Sequence, residues 1–347
     1  MEKRNNNCEK IEKDKNITTE KDINEIHKPV LLEQCLNFLE PAVDFEKKAY
    51  MIDCTLGMAG HSLAALERFN NLHVIGIDRD KQAIEIAKER TKKYSDRIIF
   101  VHTTYDNIKE IVEKYCPNSK ADAILMDLGV SSLQLDIDER GFSYARNVEL
   151  DMRMDKTNDL DAKKILETYS EEQLSKILYL YGEEKFARRI AKAIVEKRAE
   201  KPIKTSEDLN EIIREALPAV AKRNSKNPCK KTYQALRIEV NKELEILKKT
   251  LPDALSSLRI GGRIAVESYH SLEDRMVKTI FTQGSITSAP IDIPIIPEKD
   301  EPYLKLITKK AFKATQKEKE SNSRAKSVRL RVAEKIKNND NVSWRLK

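Results

Sequence analysis

Residues 51–80 contain the feature that most constrains the fold of this chain. A short apolar strand runs into a loop with Gly57 and Gly60, an amphipathic segment follows, and a second apolar strand ends at Asp78. Strand, helix and strand in this order predict a parallel α/β unit. Ligands of such sheets bind beyond the carboxyl ends of the strands. We therefore predict an α/β fold of the Rossmann-like type, with a ligand site at the glycine loop.

The chemistry of this loop indicates which ligand it binds. Dinucleotide sites use a three-glycine pattern to meet a pyrophosphate, whereas this loop has two glycines and the acidic Asp53 before them, which would repel phosphate. Asp78 lies at the spacing from Gly57 at which a carboxylate binds ribose hydroxyls. S-adenosylmethionine carries an adenosine and two cationic groups but no phosphate, so Asp53, Gly57 and Asp78 are predicted to contact it. The alternative is a glycine pair that only turns a strand into a helix.

Positive charge is concentrated in two segments of the 347-residue chain, whose net charge is +7. Residues 185–231 contain 14 Lys and Arg against 6 Asp and Glu, and residues 305–337 contain 12 against 3. Clustered cations are typical of nucleic-acid-binding surfaces, although a solvated basic face is the alternative. The candidate phosphate contacts are Arg188, Arg189, Lys192 and Lys230.

Other compositional features exclude several classes of protein. No apolar run approaches the ~20 residues that span a bilayer, and no secretory signal core is visible at the N-terminus. We therefore expect a cytoplasmic protein with no membrane partner. The five cysteines are scattered without a C-x-x-C pair, so neither a disulfide framework nor a metal site is predicted.

Hydrophobic patterning predicts how the chain is divided. The fourth strand, 123–128, and the fifth, 262–267, are separated by far more chain than one crossover helix needs, and apolar residues there recur at helical spacing. Residues 233–258 are predicted to form one helix that ends at Gly261 and Gly262, followed by strands at 303–314 and 325–336. The predicted parts are a disordered extension at 1–26, a sheet domain at 27–137 and 232–337, an inserted helical substrate-recognition domain at 138–231, and a tail at 338–347.

Polar side chains follow the two central strands. Asp127 ends the fourth strand, and His270 and Ser271 directly follow the fifth. Because adjacent parallel strands end at one edge of a sheet, these residues are expected to converge there and form a catalytic site. The alternative is that Glu273 to Arg275 merely cap the following helix.

Eight motifs occur in order along the chain: DCTLGMAGHS (53–62), IDRD (77–80), DLGVSS with QLD (127–136), RGFS (140–143), LDMRMD (150–155), YGEE (181–184), YQALRI (233–238) and HSLEDR (270–275). Together they resemble the RsmH/MraW family. Its members are bacterial S-adenosylmethionine-dependent methyltransferases that modify N4 of a cytidine in the decoding region of 16S ribosomal RNA.

The resemblance implies a class I methyltransferase sheet and 16S ribosomal RNA, within the small ribosomal subunit, as the partner. Whether the protein forms a homodimer stays open. The implied cofactor contacts are Ala59, Gly60, His61, Asp78, Tyr105, Asp127 and Gln134. Cytosine N4 would attack the methyl group directly, with Asp127, His270 or Ser271 near the amine. No metal is required.

Two departures from the family pattern bear on the site. Ala59 stands where the family usually has glycine, so a positive φ there would cost on the order of 1 kcal/mol. Tyr269 replaces a usual Phe. Two other functions compete at this stage: methylation of DNA or a small molecule, and RNA binding without catalysis. The insertion and the basic segments argue against a small-molecule substrate, and the retained acidic residues argue against loss of catalysis.

Overall fold

The computed structural model describes residues 29–43, 46–131, 134–135, 138–224, 227–290 and 295–338. The predicted extension at 1–26, all but the first residue of the predicted tail, and parts of the 127–136 motif lie outside these residues. Within the described ranges, no helix has both the length and the apolar character needed to cross a membrane.

Seven strands form one sheet. They are β1 (Ala49–Asp53), β2 (Leu72–Asp78), β3 (Ile98–His102), β4 (Ala121–Asp127), β5 (Leu258–Ser268), β6 (Leu304–Leu306) and β7 (Arg329–Lys335). Their order is β3-β2-β1-β4-β5-β7-β6. The first five are parallel, and β7 is antiparallel to both of its neighbours. The predicted Rossmann-like α/β class is confirmed.

Helices cover both faces of the sheet and fill the long connection after β4. They are α1 (Leu32–Leu39), α2 (Gly60–Arg68), α3 (Lys81–Arg90), α4 (Ile108–Tyr115), α5 (Ala162–Thr168), α6 (Glu171–Leu180), α7 (Ala187–Glu200), α8 (Ser206–Ala216), α9 (Ala219–Asn224), α10 (Lys230–Asn241), α11 (Glu243–Ser257), α12 (Ser271–Gly284) and α13 (Gln316–Ser321).

Alternation along the strands sends neighbouring side chains to opposite faces. In β4, Ile124 packs in the core that includes residues of α4, α11 and α12, whereas Leu125 packs in the core that includes residues of α1 and α2. Both are fully buried. Covered faces on both sides explain why the central strands are continuously apolar rather than alternating.

The long connection has a hydrophobic core of its own, built from residues between Phe142 and Val240. Ile190, Ala191 and Ile194 of α7 are buried in it, at the helical spacing found in the sequence. The core also includes Tyr233 and Leu236 of α10, which lie beyond the predicted boundary at 231.

The connection back to the sheet differs from the sequence prediction. Residues 233–258 do not form one helix, because Lys242 adopts a left-handed φ of 51° and separates α10 from α11. Gly261 and Gly262 lie inside β5 rather than after a helix, and Gly261 has a φ of 80° that favours glycine. The two late strands are also shorter than predicted, because β6 ends at Leu306 and β7 begins only at Arg329, after a short helical turn at Ser323–Lys326.

Candidate active site

A cavity of about 390 Å³ lies at the carboxyl edge of the sheet. Its walls come from the glycine loop, the ends of β2, β4 and β5, the inserted helical unit and a loop before β7. This volume falls within the range of roughly 300–1,000 Å³ that is typical of small-molecule sites. The arrangement places the predicted ligand site between the sheet and the insertion.

Gly57 and Asp78 form one side of the cavity. Gly57 has a φ of 51°, and a side chain there would meet no atom closer than 3.9 Å, so the loop leaves open space at this point. Its N–H donates to Oδ2 of Asp78 at 2.7 Å, and the N–H of Asp80 donates to Oδ1 at 2.8 Å. Burial raises the pKa of Asp78 to about 6, although both backbone hydrogen bonds oppose the shift. Each oxygen keeps a second lone pair for a ligand hydroxyl.

Ala59, within the loop, and Asp53, at the end of β1, are not among the residues that line the cavity. Ala59 has a φ of 59°, the left-handed conformation in which a non-glycine residue costs roughly 1–2 kcal/mol. The carboxylate of Asp53 accepts hydrogen bonds from Ser62 Oγ at 2.6 Å and from the N–H of Thr55 at 3.1 Å. Asp53 therefore holds the loop against the start of α2 rather than presenting its charge to a cationic ligand.

The other predicted cofactor contacts line the cavity. They are Gly60, His61, Tyr105, Asp127 and Gln134. Tyr105 is buried, so its ring presents a flat apolar wall. Gln134 accepts from the N–H of Ser131 at 3.1 Å through Oε1, and its amide nitrogen lies 3.3 Å from Asp80 Oδ2. His61 donates from Nε2 to the carbonyl of Val30 at 3.1 Å, which leaves Nδ1 at 3.9 Å from Asp127 Oδ2.

Asp127 belongs to a buried chain of polar groups. The hydroxyl of Tyr269 donates to Asp127 Oδ1 at 2.7 Å and lies 3.3 Å from Glu267 Oε2. Cys35 donates from Sγ to Glu267 Oε1 at 3.0 Å. Burial, and then the charge of Asp127, raise the pKa of Glu267 well above its ordinary value. Burial and the neighbouring carboxylate thus both favour the neutral form of the Glu267 carboxyl.

His270 and Ser271 have different surroundings. His270 lines the cavity, and its Nδ1 accepts from the N–H of Glu273 at 3.4 Å, so it caps α12. Its Nε2 is buried and lies 3.1 Å from Glu273 Oε1 without the alignment of a hydrogen bond. Ser271 donates to the carboxylate of Glu183 and does not line the cavity. It thus ties α12 to the insertion and does not reach the cavity.

An ion pair on the cavity wall was not predicted. Arg237 donates to both carboxylate oxygens of Glu243 at 2.8 Å, and both residues line the cavity. Two parallel hydrogen bonds hold this pair in one geometry. Arg237 lies within the YQALRI motif, which was the signal available in the sequence. Glu243 lies beyond every motif.

The predicted phosphate contacts are divided between two surfaces. Arg188, Arg189 and Lys192 are exposed on α7 and do not line the cavity. Lys192 lies 3.7 Å from Glu196, one turn along the helix. Lys230, at the start of α10, is exposed and lines the cavity. Of the four residues, Lys230 is therefore the one beside the predicted site.

Comparison with known proteins identifies the family. The profile described as the MraW methylase family matches residues 24–336. The chain is 46% identical to the ribosomal RNA small subunit methyltransferase H of Streptomyces avermitilis over 90% of this chain and 97% of that protein. It is 48% identical to the protein of the same name from Renibacterium salmoninarum over 90% and 95%, respectively. A solved rRNA methylase from Streptococcus thermophilus aligns with 90% of this chain and 99% of its own, at 10% identity and a TM-score of 0.41. The motif resemblance is confirmed, and the chain belongs to the MraW methylase family.

Proposed function

We propose that this protein transfers a methyl group from S-adenosylmethionine to N4 of a cytidine in the decoding region of 16S ribosomal RNA. The observation that carries the proposal is the position of Asp78 and Asp127 on the wall of one cavity, at the ends of β2 and β4. The relatives named as ribosomal RNA small subunit methyltransferases, at 46% and 48% identity, support the substrate class.

The cavity has the features that S-adenosylmethionine requires. The carboxylate of Asp78 is oriented by two backbone amides and has free lone pairs for the two ribose hydroxyls. The open space beside Gly57 admits the ribose, and the buried ring of Tyr105 offers a surface for adenine. These residues fit the cofactor, which would supply a methyl group bonded to a positively charged sulfur.

Asp127 is the group best placed to orient the cytosine amine. The amine is a weak nucleophile because its lone pair is delocalised into the ring, so an acceptor for its hydrogen favours attack. Oδ1 of Asp127 accepts a hydrogen bond from Tyr269, whereas Oδ2 lies 3.9 Å from His61 Nδ1. Oδ2 would accept a hydrogen bond from N4 and take up the proton that N4 loses when its bond to the methyl carbon forms. Positioning and electrostatics would supply most of the rate enhancement.

The walls of the cavity also suit an unstacked base. Phe142, Tyr144 and Tyr269 line it and offer aromatic faces, while the exposed Lys230 offers a cation for the neighbouring phosphate. An enzyme that modifies a base must remove it from its stack, and stacking on an aromatic ring offsets part of that cost. A small-molecule substrate would not need the cations around this entrance.

Mass-spectrometric nucleoside mapping tests the proposal. Small ribosomal subunits and naked 16S ribosomal RNA, both from a strain that lacks the gene, are incubated with the purified protein and S-adenosylmethionine. The expected product is one N4-methylated cytidine in the decoding region, absent without protein. A methyl group on another base or another RNA would overturn the assigned target, and no transfer to either substrate would overturn the proposed activity.

A further inference from the structure

We infer that residues 309–326, termed the C-terminal basic loop, form a second phosphate-binding surface beside the cavity. This surface would hold the RNA at a part of the cavity wall that does not come from the insertion. The inference rests on the proposed function, because it assigns a further binding surface for the same RNA substrate. The loop lies outside the eight sequence motifs, which are found in the sheet domain and the insertion.

The register of the sheet places this loop at the entrance to the cavity. Ser268, the last residue of β5, pairs with Arg329, the first residue of β7. Because the two strands are antiparallel, the chain that leads into Arg329 arrives at the edge where the parallel strands end. Phe312 bridges to Leu330 at the same edge, and Ser323 and Arg324 line the cavity itself.

The charge of the loop is one-sided. It contains seven Lys and Arg against two Glu. Five of its lysines are exposed, and none of the five forms an ion pair with a carboxylate in the described part of the chain: Lys309, Lys310, Lys313, Lys317 and Lys326.

Both acidic residues of the loop are engaged by other groups. Glu318 accepts from the backbone N–H of Leu31 at 2.8 Å, and Glu320 accepts from Gln316 at 2.9 Å. Neither forms an ion pair with a lysine of the loop among the described residues, so the loop keeps a net positive charge. Unpaired cations of this kind attract a polyanion and release its counterions on binding.

The lysines of the insertion provide a contrast. On α7, Lys192 lies 3.7 Å from Glu196 and Lys197 lies 3.4 Å from Glu200. Such surface pairs contribute little to stability, but each acid reduces the positive potential beside its lysine. Per lysine, the C-terminal basic loop therefore attracts phosphates more strongly than this face of α7.

The backbone of the loop is also held in place. Ala325 is fully buried, and Phe312 packs edge-on against Phe38 with ring centroids 5.9 Å apart. The hydroxyl of Thr315 caps α13. A surface fixed in this way loses less conformational entropy on binding than a free tail. An RNA strand whose target base enters the cavity would lay its flanking phosphates on these lysines.

The test compares two triple variants with the same change of charge. The first variant carries the substitutions Lys309→Gln, Lys310→Gln and Lys313→Gln. The control replaces Lys48→Gln, Lys92→Gln and Lys93→Gln, exposed lysines that precede β1 and β3 and so lie at the opposite edge of the sheet. Binding of a fluorescent decoding-region RNA fragment is measured by anisotropy over a series of salt concentrations.

We expect the loop variant to bind RNA about tenfold or more weakly than the parent. Its slope of log affinity against log salt should be smaller by about two, because three lysines are removed and each phosphate contact on single-stranded RNA contributes about 0.7. The control should match the parent. All three proteins should share the same affinity for S-adenosylmethionine by calorimetry and the same melting temperature. Equal RNA affinity and slope for loop variant and control would overturn the inference. Failure of the parent to methylate RNA would overturn the proposed function instead, while the binding comparison would still be readable.

Discussion

The hydroxyl of Tyr269 donates a 2.7 Å hydrogen bond to Oδ1 of Asp127 across the junction of two adjacent strands. Asp127 pairs in register with Glu267, so the three polar groups meet where β4 and β5 end together. This contact occupies one carboxylate oxygen and leaves the other beside the cavity. The orientation of the proposed amine acceptor thus depends on the hydroxyl of Tyr269.

The raised pKa of Glu267 predicts a pH dependence of stability. Its pKa in the folded protein is raised by burial, so the stability that this group contributes is present below its ordinary pKa and is lost as the pH rises through the folded value. Glu267→Gln preserves the volume and cannot ionise. We expect the variant to gain stability relative to the parent as the pH rises from 5 to 8, measured by urea unfolding. Parallel pH profiles for the two proteins would show that Glu267 ionises like an exposed carboxyl.

Asp78 predicts a pH dependence of cofactor affinity. Its pKa is raised to about 6 by burial, and the ionised carboxylate is the better acceptor for ribose hydroxyls. Affinity for S-adenosylmethionine should therefore fall as the pH drops below about 6. Asp78→Ala should bind at least ~30-fold more weakly, about 2 kcal/mol, and should lose this dependence. Calorimetry at pH 5 and pH 7.5 measures both effects, and unchanged affinity in the variant would remove Asp78 from the cofactor site.

Asp53 provides the matched comparison for Asp78. Because its carboxylate bonds Ser62 and Thr55, Asp53→Asn should reduce stability, by about 1–3 kcal/mol for one mismatched buried donor. Cofactor affinity should change less than threefold, because the substitution would shift the loop only slightly. Urea unfolding and calorimetry separate the two effects. A loss of affinity as large as that of Asp78→Ala would instead support the direct contact that the sequence suggested.

The sequence predicts the sheet and the glycine loop well, because both depend on local patterns. Apolar strands, two glycines and Asp78 lie within thirty residues and specify one βαβ unit. The direction in which a side chain points at a strand or helix end is not encoded locally. Asp53 and Ser271 were therefore assigned to the site. In the structure, Asp53 instead accepts a hydrogen bond from Ser62, and Ser271 donates one to Glu183.

Long-range contacts account for what the sequence did not reveal. Cys35 and Glu267 are 232 residues apart, and no pattern in either segment indicates that they meet. The break between α10 and α11 also has no sequence signal, because a lysine, Lys242, adopts the left-handed conformation there. Tertiary packing outweighs the local preference at that residue.

The most direct test of the account is single-turnover methyl transfer by Asp127→Asn. The substitution preserves volume but replaces one carboxylate oxygen with a donor, so the cytosine amine loses its acceptor. Rates are measured with radiolabelled S-adenosylmethionine at saturation, since Asp127 also borders the cofactor site, and calorimetry verifies that the cofactor binds. We predict a rate on the order of 10²-fold below the parent, the scale of removing one positioned polar group. Transfer at the parent rate would contradict the account and place the chemistry elsewhere.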